Sequence, residues 1–267
     1  MIFRSRRRRN DSEVAEDAAL DETAAAAEDQ DSQEAGEVDG SSASDPAESV
    51  DKENATPTLA ELDAQDWRDL GPYDVADVDT DSLEDELEAG RRIDLGSLVL
   101  AAGEGTELRL QVDEASQQVV SAMLIRGDSA LEVGAFAAPR SGGLWAEIRD
   151  ELVQAAHEAG GSADLVAGPF GVELRRLLPV RSPDGQEGYQ PSRMWVAEGP
   201  RWMLRGIIYG QAALEDGLDG AVAGFLEAFR MIVVRRGDEA MAPGDLLPLS
   251  LPENATPAEV PDESGEA

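Results

Sequence analysis

Gly142–Gly168 reads GGLWAEIRDELVQAAHEAGGSADLVAG, and its reading decides the fold. Trp145, Ile148, Leu152, Ala155 or Ala156, and Ala159 recur at three- and four-residue steps, the spacing of one helical face. Glu147, Arg149, Asp150, Glu151, Gln154 and Glu158 fall mostly on the other side, as a solvated face requires. Ser141 is the expected N-cap, and Gly160-Gly161 is the stop, where a left-handed residue costs little. A helix this short needs a partner surface to be stable. The strand-like segments on both sides can supply it.

Before the helix, Ile93 to Ala101 is a mostly apolar run. Glu107 to Val112 alternates, Leu108, Leu110 and Val112 against Glu107, Arg109 and Gln111. Gln118 to Ile125 and Ala130 to Phe136 follow, joined by short polar turns. This pattern predicts an antiparallel meander. After the helix come Asp164 to Ala167, Val172 to Val180, a turn-rich loop RSPDGQEGYQPS, Arg193 to Ala197, and Arg201 to Tyr209 after Glu198-Gly199-Pro200. A second helix is expected over 216–230, with Leu218, Val222, Phe225, Leu226 and Phe229 on one face. Met231 to Val234 ends that helix or forms a last strand, and 242–252 is expected to run extended over the surface. The fold class is therefore α+β: a mostly antiparallel sheet of about seven to nine strands flanked by two main helices, 142–159 and 216–230.

Charge divides the chain of 267 residues. Residues 10–57 hold 16 acids and one base, and 58–90 hold 12 acids and one Arg. Residues 91–252 hold 23 acids and 15 Arg, a balance of −8 out of the −34 for the whole chain. Residues 1–57 are poor in large apolar groups and are expected to be disordered, like the acidic 253–267. Within 58–90, Trp67 and Tyr73 are apolar anchors on an acidic arm. The arm either docks on the 91–252 domain or serves as a free linear motif. Arg6 to Arg9 would touch anionic surfaces only weakly, beside so many acids. With the folded part net negative, nucleic acid is excluded as a partner. No apolar run approaches the ~18 residues of a spanning helix, and no secretory h-region follows the first basic residues. A cytoplasmic protein with a protein partner is expected.

No cysteine is present, which removes disulfides, thiol nucleophiles and thiolate metal sites. The single histidine, His157, has no metal-type neighbours on its helix, and no GxSxG, GxxxxGK[ST] or GxGxxG motif occurs. Asp74, Asp77, Asp79 and Asp81 lack the glycine and closing glutamate of a calcium loop. Neither catalytic residue nor cofactor is assigned. Arginines on strands carry the remaining chemistry. Arg205 sits among apolar residues whichever face it takes, so it needs a carboxylate or a ligand. Arg175, Arg176 and Arg193 lie on neighbouring segments. They suggest a small-anion or acidic-ligand pocket, with ordinary ion pairing as the competing reading.

The blocks GPYD (71–74), RRIDLGSL (91–98), LRLQVDE (108–114), LEVGAFAAPRSGGLWAEIR (131–149) and WMLRGIIYG (202–210) resemble an actinobacterial family known as a domain of unknown function, over about 58–252. The order of strands and helices is also similar to the Mog1/PsbP-type α+β fold. That likeness implies partner binding more than catalysis, on fold alone. The first expectation is a non-enzymatic protein-interaction module. A small-anion-binding domain and an enzyme of unknown class are the alternatives.

Overall fold

Alternating apolar and polar residues on both sides of the central helix build one wide sheet. The computed structural model describes residues 56–101, 103–113, 118–182 and 185–252. In chain order the elements are α1 (Leu59–Asp63), β1 (Tyr73–Asp74), α2 (Thr80–Glu88), β2 (Arg92–Asp94), β3 (Leu98–Ala101), β4 (Glu107–Val112), β5 (Val119–Arg126) and β6 (Ser129–Ala137). Then follow α3 (Leu144–Glu158), β7 (Ser162–Gly168), β8 (Gly171–Arg181), β9 (Glu187–Gly199), β10 (Trp202–Gly210), α4 (Ala221–Arg230) and β11 (Val233–Val234).

The main sheet runs β4-β5-β6-β10-β9-β8-β7, antiparallel throughout. It is two meanders joined at β6 and β10, with α3 as the connection. Each face has its own core. On one side α4 sets Val222, Phe225, Leu226 and Phe229 against Leu131, Ala135, Trp195 and Leu204. Burying a side chain such as Phe229 stabilises by roughly 1.5–3 kcal/mol. On the other side α3 sets Leu144 and Trp145, with Ile148 and Leu152, against Leu174, Met194, Val196 and Ile207.

The helices differ from expectation at their starts. α3 begins at Leu144 behind a left-handed Gly143, and Ser141 makes no cap bond to it. Glu198, at the end of β9, accepts from the Gly143 and Trp145 N–H groups at 3.0 and 3.3 Å instead. A carboxylate there also suits the positive end of the helix dipole. α4 begins at Ala221 rather than 216, after a 3-10 turn at Gln211–Leu214. Arg149, assigned above to the solvated face, is 7% exposed and forks onto Asp63 of α1 at 2.5 and 2.9 Å.

Residues 58–90 pack on the body. Leu62 is buried, and Gly171 passes so close to it that a Cβ there would lie 2.7 Å from the Leu62 carbonyl oxygen. Trp67 stands edge-on to Phe170 at 5.8 Å. Tyr73 and Asp74 form β1, parallel to β11, in a second sheet of order β1-β11-β3-β2. That small sheet was not anticipated. The apolar run from Ile93 splits at Gly96 (φ 79°) into the β2–β3 hairpin. α2 covers the small sheet, with Leu83 against Val99 and Val233.

Two loops proved more ordered than their composition suggested. The turn-rich stretch at 181–192 is mostly strand, because β8 and β9 stay paired out to Arg181–Glu187. Prolines fit in these strands because Pro179 lies beyond the last β7–β8 pair and Pro191 beyond the last β9–β10 pair. Segment 242–252 is not a surface strap: Leu247 and Leu249 are buried, and Leu247 N–H donates to the Ala135 carbonyl at 2.8 Å. The leader through residue 55, with Arg6 to Arg9, and the tail 253–267, both expected to be disordered, lie outside the described residues.

Candidate functional site

The four arginines suggested by the sequence separate onto opposite faces of the sheet. Arg175 and Arg176 are consecutive on β8, and strand alternation alone sends them to different sides. Arg175 joins Arg193 on the α4 side. There Glu173, 1% exposed, accepts from Arg193 Nε and Nη2 at 2.8 and 3.1 Å, from Arg175 Nε at 2.9 Å and from Trp195 Nε1 at 2.6 Å. Arg193 Nη1 also donates to the Glu215 and Gly217 carbonyls, and Arg175 pairs with Asp216 at 3.0 Å. Every group in that cluster is engaged. It ties β8 and β9 to the loop before α4, and every guanidinium nitrogen of Arg175 and Arg193 already donates within the fold.

Arg176 and Arg205 face the other way, where the covering is incomplete. α3 lies over β7, β8 and β9. On β10, β6 and β5 the same face carries Arg205, Tyr209, Glu132, Phe136, Met123 and Ile125, all only half-buried. The register arranges them in rows. One row is Arg176–Ser192–Tyr209–Ala130–Ile125. The next is Leu174–Met194–Ile207–Glu132–Met123–Arg109, and then Val196–Arg205–Gly134.

Charge on this face is unevenly satisfied. Arg109 is closed on Glu107 by two bonds, 2.9 and 3.0 Å. Glu132 alone serves the rest. It lies 4.0 Å from Arg205 Nη2, and Tyr209 OH stands 3.5 Å from its other oxygen. The Arg205 guanidinium rests over the Phe136 ring at 4.9 Å. Arg176 makes no hydrogen bond or ion pair among the described residues, and its Nε is buried without a partner. Burial lowers the Arg176 pKa; Tyr209 and Glu132 oppose the shift, and Arg205 adds to it. Burial, then Glu132, pushes the Tyr209 phenol from 10.0 up to about 12. The face thus offers two guanidiniums and a protonated hydroxyl against one carboxylate.

Other features are occupied by structure. Two clefts of about 390 and 450 Å³ flank Trp67 and Arg68, where residues 58–90 meet Gly199-Pro200. Three of their acids already serve the fold: Asp74 accepts from Trp202 Nε1 at 2.6 Å, Asp63 holds Arg149, and Glu198 caps α3. Asp74 and Asp79, on the rejected calcium spacing, cap the 3-10 turn at Val75–Asp77 and α2. Among the described residues no group of three or more His, Cys, Asp or Glu is placed to hold a metal ion. His157 is exposed near the end of α3. No described helix is long and apolar enough to cross a membrane.

Sequence reasoning missed Glu132 and Tyr209 as partners of Arg205. The signal was available, since Tyr209 shares the i, i+2, i+4 face of β10 with Arg205, and Glu132 is a lone acid between Leu131 and Val133. A family model described as "Protein of unknown function (DUF3710)" matches residues 71–258. No curated protein matches the chain.

Proposed function

The chain belongs to that family, and we propose that it is a non-enzymatic protein-interaction module whose partner docks on the open half of the main sheet. One observation carries this reading. The main contacts of α3 are with β7, β8 and β9, and beyond Ile207 the strands β10, β6 and β5 present Met123, Ile125, Phe136 and Tyr209 half-buried around Arg205 and Arg176, with Glu132 as the one carboxylate beside Arg205. Apolar and aromatic groups interleaved with Arg are the composition of binding hot spots. The strands beneath are rigid, because β6 and β10 are hydrogen-bonded on both edges. The strongly paired groups elsewhere, Glu173 above all, are consumed in holding the scaffold.

The test is comparative capture with the full chain as bait. A Met123→Glu/Phe136→Glu variant should lose proteins that the wild type retains. Leu214→Glu, at a position 62% exposed in the 3-10 turn before α4, should keep them. Identical sets from all three baits would overturn the proposal.

A further inference from the structure

Arg176 is a cation held in place without a counterion of its own. Its neighbours across β9 explain why the deficit persists. Ser192 lies in register between Arg176 and Tyr209, so a small side chain separates two long ones. The two outer positions stand about 10 Å apart at the backbone, twice the strand spacing. Glu132 adjoins Tyr209 in the next row, and its carboxylate lies between the Tyr209 hydroxyl at 3.5 Å and Arg205, one row further along, at 4.0 Å. Arg176, Arg205 and Glu132 leave a local charge of +1 on a chain whose net charge is −34.

We infer that Arg176, Arg205 and Tyr209 form a receptor for a single carboxylate, presented by an acidic side chain or a chain terminus of the docking partner. This rests on the docking reading above and gives its partner a chemistry. Three features select a carboxylate over a phosphate. The donors are planar guanidinium forks and one hydroxyl, which match the two oxygens of a carboxylate. β9 and β10 are paired on both edges, so their backbone N–H groups are consumed in the sheet, and the backbone nest that phosphate sites use is missing here. A monoanion neutralises the +1, whereas a dianion beside Glu132 would restore an excess of negative charge. The raised phenol of Tyr209 keeps its proton across the physiological range and remains a donor. Glu132 is then the resident competitor, holding Arg205 and Tyr209 loosely until a better-placed carboxylate arrives.

The experiment is a titration of the full chain, labelled so that arginine Nε–Hε signals are resolved. The probes are sodium acetate, inorganic phosphate and sodium chloride at matched ionic strength. Acetate is expected to shift the Arg176 and Arg205 signals saturably, and phosphate and chloride to act at least threefold more weakly. Glu132→Gln should tighten acetate by about tenfold, since a like charge within contact range is removed. Arg205→Met should weaken it by about tenfold or more. Phosphate binding as tightly as acetate, or an acetate affinity indifferent to Glu132→Gln, overturns the receptor. A failed titration alongside capture that still depends on Met123 and Phe136 removes the receptor alone. A successful titration with face-independent capture removes the docking reading and leaves a small-carboxylate site.

Discussion

Two arginine clusters, built from adjacent residues of one strand, have opposite fates in this molecule. On the α4 side, Glu173 is saturated by Arg193, Arg175 and Trp195, and both Glu173 and Arg193 are 1% exposed. On the α3 side, Glu132 reaches Arg205 only at 4.0 Å, and Arg176 is left unmatched. The difference separates scaffold from site. A buried charge that belongs to the fold is closed by complementary groups, because leaving it open costs more than the pair gains. A half-buried charge left open is tolerated only where stability is not its purpose.

The contrast breaks most visibly at Glu173. Glu173→Gln leaves Arg193 buried beside a neutral amide, and chemical denaturation should show a loss of about 3–5 kcal/mol. Glu132→Gln should cost under about 1 kcal/mol in the same assay. Comparable losses would erase the distinction. Next in size is the contact of α1 with α3. Asp63→Asn strips the partner from Arg149 and should cost about 1–2 kcal/mol. Limited proteolysis should then cut sooner between α1 and β1, and unchanged cleavage would mean that Asp63 does not hold this segment. Tyr209 supplies a pH-dependent difference. Its folded pKa of about 12 lies above the ordinary 10.0, so the fold prefers the protonated phenol. That preference is fully present below pH 10, and is lost as pH rises through about 12. Wild type should therefore lose about 1–2 kcal/mol more than Tyr209→Phe across that window, after allowing for solvent screening. Parallel curves would place the phenol in water.

Much of this fold could be read from the chain because its periodicities are strong. The 3.6-residue faces of α3 and α4 and the alternation of β4, β6 and β10 placed two helices and the main sheet. What escaped depended on contacts distant in sequence. Arg149 looks solvated on its own helix, and only Asp63, 86 residues earlier, shows otherwise. The small sheet joins Tyr73 to Val233, a pairing of two-residue strands that no local pattern announces. Pro191 reads as a loop residue, yet it lies in β9 beyond the last β9–β10 pair. The site was half legible. Arg205 stood out as an arginine among apolar residues, but grouping it with Arg175 and Arg193 overlooked the parity of β8 and β9. The same rule, applied to Tyr209 and Glu132, would have found its true companions.

The unfolding stability of an Arg176→Met/Arg205→Met double variant, without ligand, tests most directly whether these arginines serve a ligand rather than the fold. Burial already disfavours the charge on Arg176, and Arg205 adds to that penalty. Removing both should leave stability within about 1 kcal/mol of wild type, or raise it. A loss of several kcal/mol, on the scale expected for Glu173→Gln, would make them structural and contradict the assignment of the open face.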